Sequence, residues 1–228
     1  MTKKNVVVFD LDGTLLYTIE SIAYHLNKTL VEYGLQAISR EKVLEYVGNS
    51  SRYLVEKAVA DSDPNMDGDR VTALLDDYNE SYFEDPLPMT RPYPGMEVLL
   101  KALKGHGCRL AVFSNKPDGI AKRVVEHFFG EGFFSFIRGF MEEIPRKPDK
   151  ACMDRLLQDM GAEAEQVVYV GDSDVDGMTG ENAGLDTVLV TYGYRSRDQL
   201  ARFSQAELVD SVEELGHALA SRGLLEAN

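Results

Sequence analysis

The sequence contains no tryptophan, two cysteines and four histidines among its 228 residues. Cys108 and Cys152 stand alone, without the CxxC or Cys/His spacing that a zinc site requires. We therefore expect both to be small buried hydrophobic residues of a protein in a reducing compartment. The histidines also lack metal-ligand spacing and are expected to be ordinary surface or core residues. They are His25, His106, His127 and His217.

Basic residues are scarce. Lys and Arg total 24 against 38 Asp and Glu, which gives a formal net charge of -14 at pH 7 with histidine neutral. No run of Lys and Arg interrupts this acidic balance. A protein of this charge repels nucleic-acid phosphates and anionic membranes, so neither is expected as a partner.

Long apolar runs are missing as well. The longest runs are a handful of residues, far short of a bilayer span. Near the N-terminus the apolar run Val6–Phe9 ends at Asp10, which makes it too short for an export signal. We therefore expect a cytoplasmic protein, and its 44% hydrophobic and 27% charged residues are typical of a globular fold.

Short continuous apolar runs alternate with amphipathic helical patterns along most of the chain. Such runs are typical of strands covered on both faces, so the alternation predicts an α/β fold, a parallel sheet with helices on both faces. One helix is predicted around Met153–Met160, and another begins at Ser211, where Glu214 completes a capping box. The predicted strands are Val6–Phe9, Leu110–Phe113, Val167–Val170 and Thr187–Val190, with a weaker run at Phe136–Phe140.

The alternation stops between about residues 17 and 85, where the patterns are helical. Ile22, Leu26 and Leu30 share one helical face, and Leu74 and Tyr78 share another. We therefore predict a core formed by residues 1–16 and 86–228, with an inserted all-helical domain at residues 17–85.

Polar side chains follow four of the predicted strands. Because the carboxyl ends of parallel strands meet at one edge of a sheet, these side chains are expected to converge there. Crowded carboxylates repel one another unless a cation or raised pKa values offset the repulsion, and Asp10 and Asp172 offer the hard oxygen ligands that suit Mg²⁺. The four segments are Asp10-Leu11-Asp12-Gly13-Thr14, Ser114-Asn115-Lys116, Arg146-Lys147-Pro148 and Gly171-Asp172-Ser173-Asp174-Val175-Asp176.

The same segments supply the parts of a phosphoryl-transfer site. Asp10 and Asp12 project the same way from an extended strand end, so one carboxylate can attack phosphorus while the other handles the proton. Gly13 permits a sharp turn close to a phosphate. Hydrogen-bond donors and a positive charge for the phosphoryl oxygens are expected from Ser114, Asn115 and Lys147.

Each segment also has an ordinary structural explanation. An isolated Asp-x-Asp at a strand end is usually a turn or a helix cap, Ser114-Asn115 is a common turn sequence, and Gly171-Asp172 can cap a helix. Their joint occurrence at several strand ends favours a functional site. Asp174, in contrast, is expected to be a solvated loop residue.

The four segments resemble the four motifs of the haloacid dehalogenase superfamily, in the family's order and over the whole chain. The resemblance implies a Rossmann-like core, a helical cap inserted after the first motif, and Mg²⁺-dependent phosphoryl transfer. The matching residues are Asp10-Leu11-Asp12-Gly13-Thr14-Leu15, Ser114-Asn115, Lys147-Pro148 and Gly171-Asp172-Ser173-x-x-Asp176.

Carried over residue by residue, the resemblance implies that Asp10 is the nucleophile, which forms an aspartyl-phosphate, and that Asp12 is the general acid and base. The implied Mg²⁺ ligands are Asp10, the backbone carbonyl of Asp12, and Asp172, with Asp176 orienting them.

Further segments resemble the phosphoglycolate phosphatases of this superfamily. They are Tyr46-Val47-Gly48-Asn49-Ser50, Tyr93-Pro94-Gly95, Phe113-Ser114-Asn115-Lys116-Pro117 and Thr191-Tyr192-Gly193-Tyr194. Two positions depart from the family's pattern. Tyr17 stands where the family usually has an aspartate, and Arg195-Ser196-Arg197 replaces an Asn-Tyr-Gly-like turn.

The resemblance assigns the phosphoryl group to Ser114 and Lys147, with Lys147 also steadying Asp10, and makes 2-phosphoglycolate the leading candidate substrate. In the helical insert, Arg52 is a candidate partner for a substrate carboxylate. The predicted substrate-binding residues are Gly13, Thr14, Ser114, Asn115, Lys116, Gly48, Asn49 and Arg52.

Other activities fit the same motifs. A pyrophosphatase or a sugar-phosphate phosphatase shares them, and a phosphosugar mutase would pass the phosphoryl group to a second hydroxyl instead of water. A phospho-accepting signalling domain also combines an acidic metal pocket with an aspartate, a hydroxyl and a lysine, but such domains are about half this length and lack a helical insert. The predicted partner is a small phosphorylated metabolite, and the predicted assembly is a monomer or weak homodimer.

Overall fold

The computed structural model describes residues 3–226, which form eight strands and ten α-helices. The strands are β1 (Val6–Phe9), β2 (Leu16–Tyr17), β3 (Arg91–Pro92), β4 (Arg109–Pro117), β5 (Phe136–Phe140), β6 (Val167–Gly171), β7 (Asp186–Val190) and β8 (Glu207–Val209). The α-helices are α1 (Ile19–Glu32), α2 (Arg40–Tyr46), α3 (Ser51–Ser62), α4 (Gly68–Glu84), α5 (Met96–Gly105), α6 (Asp118–Phe129), α7 (Lys150–Met160), α8 (Asp174–Ala183), α9 (Arg197–Leu200) and α10 (Val212–Ser221).

Six of the strands form one parallel sheet in the order β5-β4-β1-β6-β7-β8. β1 is flanked by β4 and β6, with Val6 opposite Arg109 on one side and Val167 on the other. All four residues of β1 are buried, as expected for a strand covered on both faces. The predicted α/β fold, a Rossmann-like parallel sheet surrounded by helices, is confirmed.

The helices cover the sheet with their apolar faces. Met153 and Leu156 of α7 belong to a buried cluster that includes Tyr169 of β6. Cys152 lies in the same cluster, but Cys108 is only partly buried, so the prediction of two buried thiols is wrong for Cys108. None of the helices in residues 3–226 combines the length and apolar character needed to span a membrane.

The chain clusters into two compact units. One takes in the chain up to Tyr17 and from Pro92 onward and holds the six-stranded sheet, and the other is Thr18–Arg91 and holds α1 to α4. Within this helical unit α1 packs on α4. The boundaries between the two units follow Tyr17 and Arg91, whereas the predicted boundaries follow residues 16 and 85. The division into functional domains stays a prediction. The buried apolar residues of α1 and α4 include Ile22, Leu26, Leu30, Leu74 and Tyr78.

In the main sheet, the largest differences from the predicted strands are at β8 and β4. β8 was not predicted, because its three residues at the edge of the sheet are too few for a recognisable pattern. β4 reaches Pro117 rather than Phe113, and its register with β5 shifts between these two residues. The segment Ser114-Asn115-Lys116 therefore lies within the end of the strand and not after it.

At the start of α10, one of the two hydrogen bonds of the predicted capping box is formed and the other goes to a different residue. The Ser211 hydroxyl accepts from the Glu214 N–H at 3.1 Å, as predicted. The Glu214 carboxylate, however, accepts from the N–H of Asp210 at 2.7 Å, one residue before the cap.

Candidate active site

Three buried carboxyl groups meet at the carboxyl edge of the central strands. Asp10 directly follows β1, Asp172 directly follows β6, and Asp176 lies in the first turn of α8. One carboxylate oxygen from each residue lies within 4.8 Å of those of the other two. Among residues 3–226 this is the one group of three acidic, histidine or cysteine side chains close enough to hold a metal ion.

Strand pairing brings the first two carboxyl groups together. Phe9 lies opposite Val170, and the Asp10 N–H continues the ladder by donating to the Val170 carbonyl at 2.8 Å. The next residue of β6 is Gly171, where a Cβ would lie 2.3 Å from the side chain of Asp176. A glycine at the end of β6 therefore allows α8 to bring its first turn against the strand end.

The ammonium of Lys147 lies among these carboxyl groups. Its Nζ donates to Oδ1 of Asp10 and to Oδ1 of Asp176, both at 2.8 Å, and to the hydroxyl of Tyr169 at 3.2 Å. Lys147 is only 2% exposed. The contact with Asp10 supports the prediction that Lys147 steadies this carboxylate.

Burial and charge act in opposite directions in this cluster. Burial raises the pKa of Asp10 to about 7, although Lys147 opposes the rise. Burial, together with the carboxylates of Asp176 and Asp10, also raises the pKa of Asp172. Burial would raise the pKa of Asp176 too, but Lys147 lowers it. Burial would lower the pKa of Lys147, but its two carboxylate partners raise it above its ordinary value. The cluster therefore contains three carboxyl groups and a single ammonium, whose one positive charge cannot neutralise all three when they are ionised.

Both oxygens of Asp172 are held by neighbouring groups. The Thr14 hydroxyl donates to Oδ1 at 3.0 Å, and the backbone N–H of Tyr194 donates to Oδ2 at 2.7 Å. A Cβ at Gly13, where φ is +87°, would lie 2.2 Å from Oδ2 of Asp172, so this approach requires glycine. Thr14 and Gly13 are predicted to bind substrate, and in the structure both contribute to the placement of Asp172.

Asp176 receives five hydrogen bonds. Lys147 Nζ and the Tyr169 hydroxyl donate to Oδ1, and Oδ2 accepts from the backbone N–H groups of Asp172 and Ser173 and from the Ser173 hydroxyl. A carboxylate offers about four lone-pair sites, so the protein itself saturates Asp176. This residue is therefore better suited to orient its neighbours than to ligate a metal directly.

The donor set fits a hard divalent cation. Mg²⁺ prefers oxygen ligands and is usually held by one or two carboxylates, with water and substrate phosphate in the remaining positions. Asp10 and Asp172 supply two such carboxylates. Burial, with a smaller contribution from neighbouring carboxylates, raises the pKa of each, and a bound cation would favour their ionised forms. The cluster is thus able to hold a metal ion.

The side chain of Asn115 is tied to the loop that carries Lys147. Its Nδ2 donates to the Lys147 carbonyl at 3.1 Å, and its Oδ1 accepts from the Lys147 N–H at 3.0 Å. The neighbouring Ser114 is buried, and its Oγ accepts from the N–H of Lys116 at 3.3 Å. Asn115 is predicted to bind substrate, and the structure gives its amide a contact with the backbone of Lys147.

Lys116 contacts the second carboxylate of the first motif. Its Nζ lies 3.0 Å from both Oδ1 and Oδ2 of Asp12. The Lys116 side chain is 3% exposed and that of Asp12 is 16% exposed. The site therefore contains two buried ammonium groups, Lys147 beside Asp10 and Lys116 beside Asp12.

The remaining predicted substrate residues belong to the helical unit. Gly48 is exposed, with φ at +110°, and Asn49 is partly buried; both lie between α2 and α3. Arg52 lies on α3 and contacts Glu56 one turn later, with Nη1 and Oε1 3.4 Å apart. Their assignment to substrate stays a prediction.

One interpretation of the fourth motif was wrong. Asp174 is not a solvated loop residue, because it is the first residue of α8 and its Oδ1 lies 3.1 Å from Nε of Arg195. The Arg195-Ser196-Arg197 segment therefore has a structural role, because Arg195 contacts α8 and the two following residues begin α9. Ser196 caps the short helix α9 by accepting from the N–H of Gln199.

Sequence reasoning missed Tyr169, whose hydroxyl lies between Lys147 and Asp176. It donates to Oδ1 of Asp176 at 2.5 Å and is fully buried. The available signal was a hydroxyl inside the otherwise apolar strand β6, two residues before Gly171. The backbone contact from Tyr194 to Asp172 carried no sequence signal, because any residue other than proline supplies an N–H.

Comparisons with known proteins agree with this arrangement. Residues 7–190 match the family model described as haloacid dehalogenase-like hydrolase. A phosphoglycolate phosphatase from Aquifex aeolicus is 34% identical over 209 residues, which cover 91% of this chain and 95% of that protein. A protein of the same name from Rhodospirillum rubrum is 36% identical over 214 residues, which cover 92% of this chain and 88% of that protein.

A solved structure gives the same picture. The crystal structure of a predicted phosphoglycolate phosphatase from Haemophilus somnus matches with a TM-score of 0.87 at 28% identity. The match covers 96% of this chain and 99% of that one.

Proposed function

Because the chain belongs to the haloacid dehalogenase-like hydrolases and is a phosphatase, we propose that it hydrolyses 2-phosphoglycolate through an aspartyl-phosphate formed on Asp10, with Mg²⁺ as its cofactor. The observation that carries this proposal is the pair of carboxylates after β1, each beside its own buried ammonium: Lys147 at Asp10 and Lys116 at Asp12. Asp10 belongs to the buried carboxyl cluster and Asp12 does not, and carboxylates in different surroundings suit two different roles in one reaction.

In the first step a carboxylate oxygen of Asp10 attacks phosphorus. Lys147 holds Oδ1, so the attack is assigned to Oδ2. An Asp10–phosphorus bond forms, the bond between phosphorus and the ester oxygen breaks, and a proton from Asp12 goes to the leaving oxygen. The products of this step are glycolate and the aspartyl-phosphate.

In the second step Asp12, now a carboxylate, takes a proton from a water molecule that attacks the same phosphorus. The bond between phosphorus and Asp10 breaks, which releases inorganic phosphate and restores the Asp10 carboxylate. Asp12 must give a proton in the first step and receive one in the second, so its side chain has to keep its position through both. The contact with Lys116 holds it there.

The proposed metal ligands are Asp10, Asp172 and the backbone carbonyl of Asp12, with Asp176 orienting them. When bound, Mg²⁺ supplies positive charge against the phosphoryl oxygens. Ser114 and Lys147 are proposed to bind the same oxygens.

The helical unit is proposed to act as a cap that completes the substrate site through Gly48, Asn49 and Arg52. The protein is proposed to work as a monomer or weak homodimer. The free thiols of Cys108 and Cys152 fit the reducing conditions of the cytoplasm.

Phosphate release from a substrate panel tests this proposal. The panel contains 2-phosphoglycolate, sugar phosphates, pyrophosphate, nucleotides and p-nitrophenyl phosphate, each with Mg²⁺, with EDTA and with Asp10→Asn. We expect a preference for 2-phosphoglycolate that EDTA and the substitution abolish. Equal or higher kcat/KM for a sugar phosphate or pyrophosphate would discard the assigned substrate. Conversion of a sugar phosphate into its isomer would indicate a mutase.

A further inference from the structure

The loop that follows β7 contacts Asp172, one of the proposed metal ligands. β7 lies beside β6, with Leu189 opposite Gly171, so the end of β7 reaches the edge of the sheet where Asp172 lies. Residues 191–194, which come directly after β7, are called the β7 loop below. The proposed reaction gives these residues no step, so their close contacts with the site point to another role.

Within the β7 loop, the backbone of Gly193 packs directly against Asp172. A Cβ at position 193 would lie 2.4 Å from Cβ of Asp172, 2.5 Å from its Oδ2 and 2.5 Å from the carbonyl oxygen of Gly13. Non-bonded carbon atoms normally pack at roughly 3.5–4.0 Å, so a side chain here would displace the loop or Asp172. The absence of a side chain lets the N–H of the next residue, Tyr194, donate to the same Oδ2 at 2.7 Å.

A hydroxyl of the β7 loop supports the other oxygen of Asp172 through Thr14. The Tyr192 hydroxyl donates to the carbonyl of Thr14 at 3.2 Å, and the Thr14 hydroxyl donates to Oδ1 of Asp172 at 3.0 Å. The ring of Tyr192 packs against that of Tyr93, with centroids 4.7 Å apart. Each oxygen of Asp172 therefore accepts a hydrogen bond from a donor that the β7 loop either supplies or helps to hold in place.

Starting from the proposed function, in which Asp172 is a ligand of the metal ion, we propose that the β7 loop holds Asp172 in the position that selects Mg²⁺ over Ca²⁺. Mg²⁺ requires nearly octahedral oxygen ligands at about 2.0–2.1 Å, whereas Ca²⁺ accepts irregular geometry and ligands at about 2.3–2.6 Å. A carboxylate held in one position favours the ion with the stricter geometry. A displaced carboxylate therefore weakens the binding of Mg²⁺ more than that of Ca²⁺.

The position of Asp172 can be changed without changing the charge of the site. Gly193→Ala adds one methyl group against Asp172 and leaves every carboxyl group of the cluster in place. Lys147, which holds Oδ1 of Asp10 at 2.8 Å, is also retained. A change in ion preference after this substitution thus reflects the position of Asp172 and not the number of charges.

The test measures the affinity of metal-free protein for each ion separately. The rise in Tm with the concentration of MgCl₂ or CaCl₂ gives the Kd of each ion in the wild type and in Gly193→Ala. The readout is the Kd of Ca²⁺ divided by the Kd of Mg²⁺. General destabilisation lowers the Tm without ions, which is the same starting point for both titrations, so it leaves this ratio unchanged.

Gly180→Ala is the matched control. A Cβ at Gly180 would lie 2.1 Å from the hydroxyl oxygen of Thr187, so the added methyl group is equally crowded, but between α8 and β7. We expect this variant to lower the Tm and to keep the ratio within twofold of the wild type. Asp172→Asn shows whether the measured ion is bound at Asp172.

We expect the wild type to bind Mg²⁺ more tightly than Ca²⁺, and Gly193→Ala to lower the ratio at least fivefold, mainly through weaker Mg²⁺ binding. A wild type without this preference, an unchanged ratio in Gly193→Ala, or an equal fall in Gly180→Ala overturns the inference while the proposed function stands. Wild-type affinity for Mg²⁺ in Asp172→Asn overturns the proposed metal site as well. Tyr192→Phe, with at least a twofold fall expected, replaces Gly193→Ala if circular dichroism shows that the latter is unfolded.

Discussion

The side-chain amide of Asn115 is hydrogen-bonded to the backbone of Lys147 in both directions. Nδ2 donates to the Lys147 carbonyl at 3.1 Å, and Oδ1 accepts from the Lys147 N–H at 3.0 Å. The two residues are 32 positions apart in the chain, so these bonds fix the loop before α7 to the end of β4. They therefore hold the Lys147 ammonium at Asp10 and Asp176.

We predict that Asn115→Ala destabilises the protein and slows the reaction. The substitution leaves a buried N–H and a buried carbonyl unpaired, which costs about 1–3 kcal/mol in the free energy of unfolding. Because Lys147 loses its fixed position, kcat for 2-phosphoglycolate is expected to fall more than tenfold. Urea unfolding and steady-state kinetics measure the two effects.

Asn27 offers a matched control for Asn115. Its side-chain amide makes the same pair of bonds, with the carbonyl of Ile38 at 3.0 Å and the N–H of Ile38 at 2.8 Å. Asn27→Ala is therefore expected to lower stability without the same loss of kcat. If both variants lose kcat equally, the effect of Asn115 reflects general destabilisation and not the position of Lys147.

Tyr169→Phe is predicted to slow the reaction while the protein stays folded. The substitution removes one hydroxyl and keeps the ring, so Lys147 loses a 3.2 Å contact and Asp176 loses a 2.5 Å contact. A hydrogen bond to a charged group contributes about 1.5–3 kcal/mol to the free energy of unfolding. Because Lys147 and Asp176 lose a contact that positions them, kcat is expected to fall about tenfold. Steady-state kinetics with 2-phosphoglycolate measure this.

Tyr33→Phe is the control for Tyr169. The Tyr33 hydroxyl also donates to a carboxylate, Oδ2 of Asp77 at 2.6 Å, but on the exposed surface of the helical unit. Its loss is expected to change kcat by less than twofold. A Tyr169→Phe variant with wild-type kcat would show that Lys147 and Asp176 hold their positions without the hydroxyl.

The sheet could be predicted from sequence because its strands are buried on both faces. Residues such as Val6 to Phe9 form continuous apolar runs, and each run marks a strand. The same criterion fails for polar residues inside a strand, so the extension of β4 through Ser114-Asn115-Lys116 was not predicted. It also fails for β8, where three residues at the sheet edge give no pattern.

The site positions could be predicted because the carboxyl ends of parallel strands meet at one edge. Asp10 and Asp172 follow two neighbouring strands, and this alone places them together. Specific partners could not be predicted in this way. The contact of Lys116 with Asp12 and that of Tyr169 with Asp176 depend on side-chain rotamers and loop paths that no spacing in the sequence encodes.

Mg²⁺ is predicted to stabilise the folded protein through Asp172. A ligand that binds only the folded state raises the free energy of unfolding by about 2.7 kcal/mol at a concentration one hundred times its Kd. We expect the Tm of the wild type to rise with Mg²⁺ and that of Asp172→Asn to stay nearly constant. Asp174→Asn is the control, because Asp174 is two residues away and contacts Arg195 rather than the carboxyl cluster. An equal rise in Asp172→Asn would place the ion elsewhere.

The metal-free protein is predicted to lose stability as the pH rises from about 4 to 7. The pKa of Asp10 is about 7 in the folded protein, above the ordinary value of 3.8. Between these values the folded state keeps the proton on Asp10 and the unfolded chain has released it, so rising pH favours the unfolded chain. Above about pH 7 both states are ionised, and Asp10 adds no further pH dependence.

Chemical unfolding of the wild type and Asp10→Asn in EDTA measures this loss across the same pH range. The free energy of unfolding of the wild type should fall by a few kcal/mol relative to that of Asp10→Asn, since one pKa unit corresponds to about 1.4 kcal/mol. Burial also raises the pKa of Asp172, so Asp10→Asn should keep part of the slope. Excess Mg²⁺ should reduce the dependence of the wild-type free energy of unfolding on pH, because a bound cation stabilises the ionised carboxylates. Parallel curves for the two proteins in EDTA would mean that Asp10 is already ionised at pH 4, held so by Lys147 against the effect of burial.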